Sequence, residues 1–360
     1  MFKRSDAQLT THYWLCSVLS PLSESDKVAH AITSDALDWD LVMAQAHHGM
    51  VLPALYSTLS TKNLMHLVPE EIAQALQGLF ELNVELIELR RDQIYAISSC
   101  LNEKDIDHIW LKGATHLMRD DWEHSPRTML DIDIWIPNQA QHKLAFKQLS
   151  ELDYESLDKN TGKVIGRGHH YPALYKPGES AGLEFHQHLV TRKLFELLPD
   201  ETALPNVQWL TWRGQKVGVL SPADQALQAY MQCAHMSANQ FFTGQVTLMK
   251  THDLVERLLQ AGPGVLESDQ FNRLKNNPWK WRANMFFTYL EHAFGFQSQL
   301  ERHSGYEDRL RYPALASIAK LQGFALRTID CVQEGRIGPF KELPQRIWRN
   351  VSETFSAKKM

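Results

Sequence analysis

The chain has 360 residues, 44% of them hydrophobic and 22% charged, with a formal net charge of −5. Those values exclude general disorder and allow a sizeable core in about two or three domains. A net negative chain is not built around nucleic-acid phosphates, so no extended nucleic-acid surface is expected. The N-terminus lacks an apolar leader and no run of about 18 apolar residues occurs, so neither export nor a membrane span is expected and a cytoplasmic address follows by default. Cys16, Cys100, Cys233 and Cys331 are scattered without a Cys-x-x-Cys pair and read as reduced core thiols.

Residues 1–95 read as an N-terminal helical region. Leu37, Leu41, Val42 and Ala46 fall at helical spacing, and a second short amphipathic helix runs on from Pro53. His47, His48 and Gly49 between them read as a helix end. Pro69-Glu70-Glu71 opens a long helix whose first-turn acids suit the helix dipole, ending near Asn102 to Asp105. Its expected apolar stripe is Ile72, Leu76, Leu79, Leu82, Leu86, Leu89 and Ile97.

Residues 96–195 hold the chemistry. Ile109-Trp110-Leu111 reads as a short buried strand running into Lys112-Gly113-Ala114, where a glycine lets a ligand approach the backbone. Seventeen residues after Gly113 begins Leu130-Asp131-Ile132-Asp133-Ile134-Trp135-Ile136. Strict alternation puts Leu130, Ile132, Ile134 and Ile136 on one face and Asp131 and Asp133 on the other. Like charges that close repel unless a cation sits between them, and a hard divalent ion such as magnesium suits them. The competing reading is an edge strand with solvated aspartates.

After Pro137-Asn138 a helix is expected over Gln141 to Leu152 with Leu144, Phe146 and Leu149 inward, then a polar loop or ragged hairpin over 153–168. Two further strand-like segments, one over His169 to Tyr175 and one over Gly182 to Leu189, flank a Pro177-Gly178 turn. Alternation places Glu184, His186 and His188 on one face.

The ordered set of Lys-Gly-Ala, Arg127, Asp-Ile-Asp-Ile and Leu183-Glu184-Phe185-His186 resembles the uncharacterised nucleotidyltransferase family of the DNA polymerase β-like superfamily. The superfamily pattern is a Gly-Gly or Gly-Ser turn, an Asp-x-Asp strand and a third carboxylate on a neighbouring strand. Here Ala114 stands where Gly or Ser is usual and the gap before the aspartates is longer, whereas Lys-Gly is what this particular family tends to show. The resemblance implies an α+β fold with a small mixed β-sheet core flanked by N- and C-terminal helical regions. It implies that Asp131, Asp133 and Glu184 bind Mg2+ or Mn2+, with Lys112, Gly113, Ala114 and Arg127 at the nucleotide. Arg127 is read equally as a salt-bridge partner of the neighbouring acids.

Residues 196–360 return to helices. Ser221-Pro222-Ala223-Asp224 combines an N-cap, a proline at the first helical position and an acid at the third. A later helix carries Leu248, His252, Leu254, Val255, Leu258 and Leu259 with Asp253 on another side. In the resembled family, similar helices lie beside the active site, which makes Asp253 a site candidate against a solvated helix carboxylate. Trp279-Lys280-Trp281-Arg282 reads as an amphipathic helix start with the tryptophans buried, and the basic residues beyond Gly335 as a frayed tail.

Three function classes remain. The leading one is a metal-dependent nucleotidyltransferase that moves a nucleoside monophosphate from a nucleoside triphosphate to a small molecule, a protein or an RNA end. The second is a catalytically silent nucleotide-binding scaffold. The third is a metallohydrolase using His169, His170, His186 and His188, although 17 histidines make local clusters common. Three carboxylates without a counter-ion would repel, so on sequence grounds Asp133→Asn should leave the metal-free protein as stable as wild type or slightly more so.

Overall fold

The computed structural model describes residues 2–34, 37–120, 126–156, 169–235, 246–276 and 279–298. The chain divides into two compact units, one of residues 1–80, 238–248 and 285–360, the other of residues 81–237 and 249–284. The expected reading of the basic tail, and Cys331, fall outside the described residues.

In the first unit, helices α1 (Phe2–Leu19), α2 (Ser25–Thr33), α3 (Trp39–His48) and α4 (Leu52–Thr61) bury Leu15, Leu19, Val42, Leu55 and Leu59. Asp38 starts α3 by accepting from the Leu41 amide at 3.1 Å. His47 and His48 are the last residues of α3, and Pro53 sits in the first turn of α4, where its missing N–H costs nothing. Leu37 lies just before α3.

Helix α5 (Glu70–Asn102) starts and ends where the acids and the Asn102 segment predicted. Its buried face in the second unit differs from the expected stripe: Asn83, Ile87, Arg90, Ile94, Ile97 and Leu101 are buried, while Leu89 is exposed. The observed set keeps helical spacing and includes polar residues, which a search for apolar stripes passes over.

The second unit is built on a seven-stranded mixed sheet in the order β3-β4-β5-β2-β1-β7-β6. The strands are β1 (Ile109–Leu111), β2 (Asp131–Trp135), β3 (Glu155–Ser156), β4 (Leu174–Tyr175), β5 (Gly182–His186), β6 (Gln208–Trp212) and β7 (Gln215–Val219). β1 is antiparallel to β2 and parallel to β7, and β5 is parallel to β2. Helix α6 (His142–Glu151) belongs to the connection that carries the chain from β2 to its parallel neighbour. The core joins Ile87, Ile94 and Ile97 of α5 to Trp110, Ile132 and Ile134 of the sheet.

Some expected core positions are corrected. Ile132, Ile134 and Ile136 are buried, but Leu130 precedes β2 and is 62% exposed. On α6, Leu149 points inward but Leu144 is exposed, and Ala145 and Gln148 take the inner face. Helix α7 is a single turn (Asp200–Ala203); α8 (Pro222–Ala234) has Ser221 as its N-cap, and α9 spans Leu248–Ala261.

The contact between β1 and β7 depends on Gly218. It pairs with Ile109, and a Cβ there would lie 2.7 Å from Ile109 Cγ1 and 3.1 Å from the His108 carbonyl oxygen. Gly218→Ala should therefore force the two strands apart and lower stability by about 1–3 kcal/mol, read as a lower denaturant midpoint.

Candidate active site

The register of β2 assembles the site. Asp133 pairs with Leu111 of β1 on one side and with Glu184 of β5 on the other, while Asp131 pairs with Gly182. Because β1 runs against β2, the residue after Leu111 emerges beside Asp133, and that residue is Lys112. β2 is a central strand, so the edge-strand reading of the two aspartates does not hold. Asp133 is 2% exposed.

A carboxylate so buried needs partners, and it has two. Lys112 Nζ lies 2.5 Å from Asp133 Oδ1 and 3.8 Å from Glu184 Oε2. His186 Nε2 is 2.8 Å from the same Asp133 oxygen, to which its N–H donates, and 3.8 Å from Glu184 Oε2. Burial pushes the Asp133 carboxyl up, but the Lys112 ammonium and the His186 hydrogen bond outweigh it and hold it below the usual carboxylate range. Burial alone would lower Lys112, yet Asp133 and Glu184 hold it above its ordinary value. Glu184 and Asp131 are raised by burial, with Asp133 adding to the effect in both.

The metal-free carboxylates are therefore not three bare like charges. An internal cation already sits against two of them, which corrects the premise behind the expected neutrality of Asp133→Asn.

Lys112 has φ +49°, a left-handed backbone conformation that a residue with a Cβ adopts only when its surroundings hold it there. Its carbonyl oxygen accepts from Thr115 Oγ1 at 2.8 Å and from Arg257 Nη2 at 3.0 Å. Arg257 in turn lies 3.5 Å from Asp253, one turn earlier on α9. Asp253 also binds His116 Nε2 at 2.5 Å and Arg127 Nη2 at 3.5 Å. It is buried, so the solvated-carboxylate reading fails; it is the shared anion of two arginines and a histidine. Burial raises its carboxyl, but Arg127, His116 and Arg257 outweigh that and hold it well below the usual range.

Arg127 is thus brought to the site from the acid on α9, and its Nε and Nη1 are buried with no acceptor among the described residues. A Cβ at Gly113 would lie 3.1 Å from Arg127 Nε and from Met129, so the glycine leaves room for that arginine. Ala114 faces the other way, fully buried in the hydrophobic core.

Three of the four histidines, His169, His170 and His186, pack together and the fourth does not join them. β5 ends at His186, and His188 beyond it turns to Asp200, 2.6 Å away, so the expected shared face of His186 and His188 is corrected. The His169 and His170 rings pack around His186, and burial lowers His169 to about 3. Among the described residues, two groups of ligand atoms lie within 4.8 Å of one another: Asp133, Glu184 and His186, and His116, Asp253 and Glu256. The first, with Asp131 on the same face of β2, fits a divalent cation. The second lies against Arg127 and Arg257, whose charge disfavours one.

Sequence reasoning missed His116, Arg257, Lys250 and Arg90. Lys250 opens α9 and acts electrostatically on Lys112, Asp131 and Arg127. Arg90 is the one that left a legible trace, a charge at a core position of a long helix. Trp279 is half-buried and donates from its indole N–H to Glu196 at 2.5 Å.

The chain belongs to the uncharacterised nucleotidyltransferase family, whose model matches residues 35–295. No curated protein matches it. Among solved structures it is similar to an antigenic nucleotidyltransferase-like protein from Paracoccidioides brasiliensis, at 18% identity and a TM-score of 0.35, over 59% of this chain and 94% of that one. Among the described residues, no helix is long and apolar enough to cross a membrane.

Two outcomes follow from the electrostatics. Asp133→Asn should destabilise the metal-free protein by about 3 kcal/mol, because Lys112 loses its main counter-ion while staying largely buried. Lys112→Met/Asp133→Asn should recover part of that loss, and additive losses in the double-mutant cycle would mean that the pair is uncoupled. Burial lowers His116 to about 4 and His169 to about 3. The unfolded chain therefore binds more protons between those values and the ordinary value of about 6.5. Stability should be fully present above that value and fall as the pH drops through it. His169→Gln should flatten the decline in melting temperature between about pH 7 and about pH 5.

Proposed function

We propose that the protein is a metal-dependent nucleotidyltransferase whose catalytic core, expected over residues 96–195, also takes in β6 and β7 of the region 196–360 that was expected to be helical, because β7 pairs with β1 in the same sheet. The observation that carries this reading is the register that sets Asp131, Asp133 and Glu184 on neighbouring strands beside the Lys112 turn. In the proposed reaction an acceptor hydroxyl oxygen bonds to the α-phosphorus of a nucleoside triphosphate. The bond from that phosphorus to the bridging oxygen breaks, and pyrophosphate leaves. The acceptor is a small molecule, a protein or an RNA end.

Asp131, Asp133 and Glu184 would hold Mg2+ or Mn2+, hard cations suited to oxygen donors. Such ions, when bound, neutralise the phosphates and activate the attacking oxygen. His186 keeps Asp133 oriented through its Nε2–H. Glu184 is half-buried and raised, mainly by burial, which suits it to take the proton of the acceptor hydroxyl. Lys112, whose ammonium contacts Asp133, would turn it to a phosphate oxygen of the bound nucleotide. Gly113 and Ala114 contribute backbone, and Arg127 its Nε and Nη1 groups, which have no acceptor among the described residues.

The test is incubation with each α-labelled nucleoside triphosphate, Mg2+ or Mn2+, and host extract, in which label should pass to an acceptor. Glu184→Gln should reduce transfer at least about a hundredfold while nucleotide binding persists. Binding without transfer by wild type would favour the silent scaffold. Protein purified without added metal should contain no stoichiometric zinc or iron; one tightly held zinc per chain would favour the histidine-site hydrolase.

A further inference from the structure

Among the described residues β6 is an outermost strand of the sheet, paired with β7 on one side and unpaired on the other. The two strands are joined by Arg213 and Gly214, whose φ of +49° and +81° suit the two-residue type I′ turn of a hairpin. In such a hairpin the pair next to the turn, Trp212 and Gln215, exchanges hydrogen bonds, and every second pair along the ladder does the same. Trp209 and Thr211 are therefore the positions that β7 does not bond, and their N–H and C=O groups point away from the sheet. Gly218 fixes this phase: it lies opposite Trp209, and its amide turns away from β6 to donate to the His108 carbonyl oxygen at 3.0 Å. Among the described residues, nothing else bonds to the backbone of Trp209 or Thr211.

Folded proteins protect such an edge with a charge, a proline, a bulge or a very short strand. The opposite edge of this sheet follows that rule, because β3 is only Glu155 and Ser156. β6 does not. Gln208-Trp-Leu-Thr-Trp212 contains no charge and no proline, and it pairs without a bulge along all 5 residues. Gln208, Trp209, Leu210 and Thr211 are exposed, with the large apolar Trp209 and Leu210 on opposite faces at 40% and 43%. Trp209 leaves the edge itself clear. A Cβ on Gly218 would lie 3.1 Å from Trp209 Cζ3, so the indole lies back over β7, where Lys216 Nζ is 4.3 Å from the ring centre.

We infer that β6 pairs antiparallel with β6 of a second copy of the chain, about a two-fold axis at Leu210 that joins the two sheets edge to edge. The pattern of the strand selects this occupant. Its outward groups lie one residue to either side of Leu210, so the two-fold sets Trp209 opposite Thr211 of the second copy, and each such pair exchanges both of its hydrogen bonds. The same register places an aromatic residue beside a β-branched one on one face and Leu210 against Leu210 of the second copy on the other, both favourable cross-strand pairs. Arg213 meets Val207 of the second copy, so no charge opposes a like charge, the repulsion that keeps charged edges apart. The acids of the candidate active site lie on β2 and β5, and the pairing does not depend on the nucleotidyltransferase reading.

The test is sedimentation velocity of the full chain over a micromolar-to-millimolar series, with thermal melting of each variant at the dilute end. Wild type should sediment as a dimer that dissociates on dilution. Leu210→Lys sets two ammonium groups against each other at the axis and should raise the dimer dissociation constant at least about tenfold. Its dilute melting temperature should match wild type, because the side chain it replaces is exposed. Leu210→Glu should behave likewise, and an equimolar mixture of the two variants should dimerise again, because the axis then brings opposite charges together. Thr211→Pro removes an outward N–H that the β7 ladder does not use and should also dissociate the dimer. A wild type that is monomeric throughout the series overturns the inference and leaves the edge to a strand of a different chain. A dimer equally tight in the Leu210 variants and in Thr211→Pro overturns it by placing the interface elsewhere, and Leu210 variants that stay apart when mixed reject the two-fold register. If Thr211→Pro does not fold, the two Leu210 variants decide alone.

Discussion

Asp133 sits in the middle strand of a seven-stranded sheet, almost out of contact with water, and a carboxylate there requires compensation. Lys112 and His186 supply it, and each can do so only because of strand register. The antiparallel pairing of β1 brings the residue after Leu111 alongside, and the parallel pairing of β5 brings in its last residue. A one-residue slip of either neighbour would turn these groups to the opposite face and leave the carboxylate uncompensated. The charge cluster and the sheet register therefore stabilise one another.

A second buried anion supports the first from behind. Asp253 on α9 gathers His116, Arg127 and Arg257, and Arg257 reaches the Lys112 carbonyl that the left-handed turn presents. The strained backbone at Lys112 is held by this network, so a helix distant in sequence sets where the lysine ammonium lies. Arg127 is placed in the same way, with room left for it by Gly113.

The balance of charge differs across the site. Toward Asp133 and Glu184 the acids are matched by one ammonium and one neutral imidazole, an arrangement that a divalent ion can replace. Toward Asp131 three cations, Lys112, Arg127 and Lys250, act on one carboxylate, and among the described residues nothing accepts from the buried Nε and Nη1 of Arg127. The two halves of the site therefore offer unlike charge to a ligand. The chain's membership of a nucleotidyltransferase family agrees with this chemistry.

Local pattern determined much of this. The alternation of Asp131 to Ile136 defined a strand with two acids on one face, Pro69-Glu70-Glu71 and Ser221-Pro222 marked helix starts, and Pro177-Gly178 marked a turn between strands. These features depend on neighbours a few residues apart, where backbone geometry fixes the answer. The resemblance supplied Glu184 as a third acid, and the fold placed it directly opposite Asp133. What tertiary structure alone decided is which charges meet. The Lys112–Asp133 contact, the separation of His186 from His188 where β5 ends, the burial of Asp253 and the inward turn of Arg90 all depend on groups far apart in the chain. Their energies depend on burial, and burial belongs to the packed fold, so the sequence listed the charges but could not pair them.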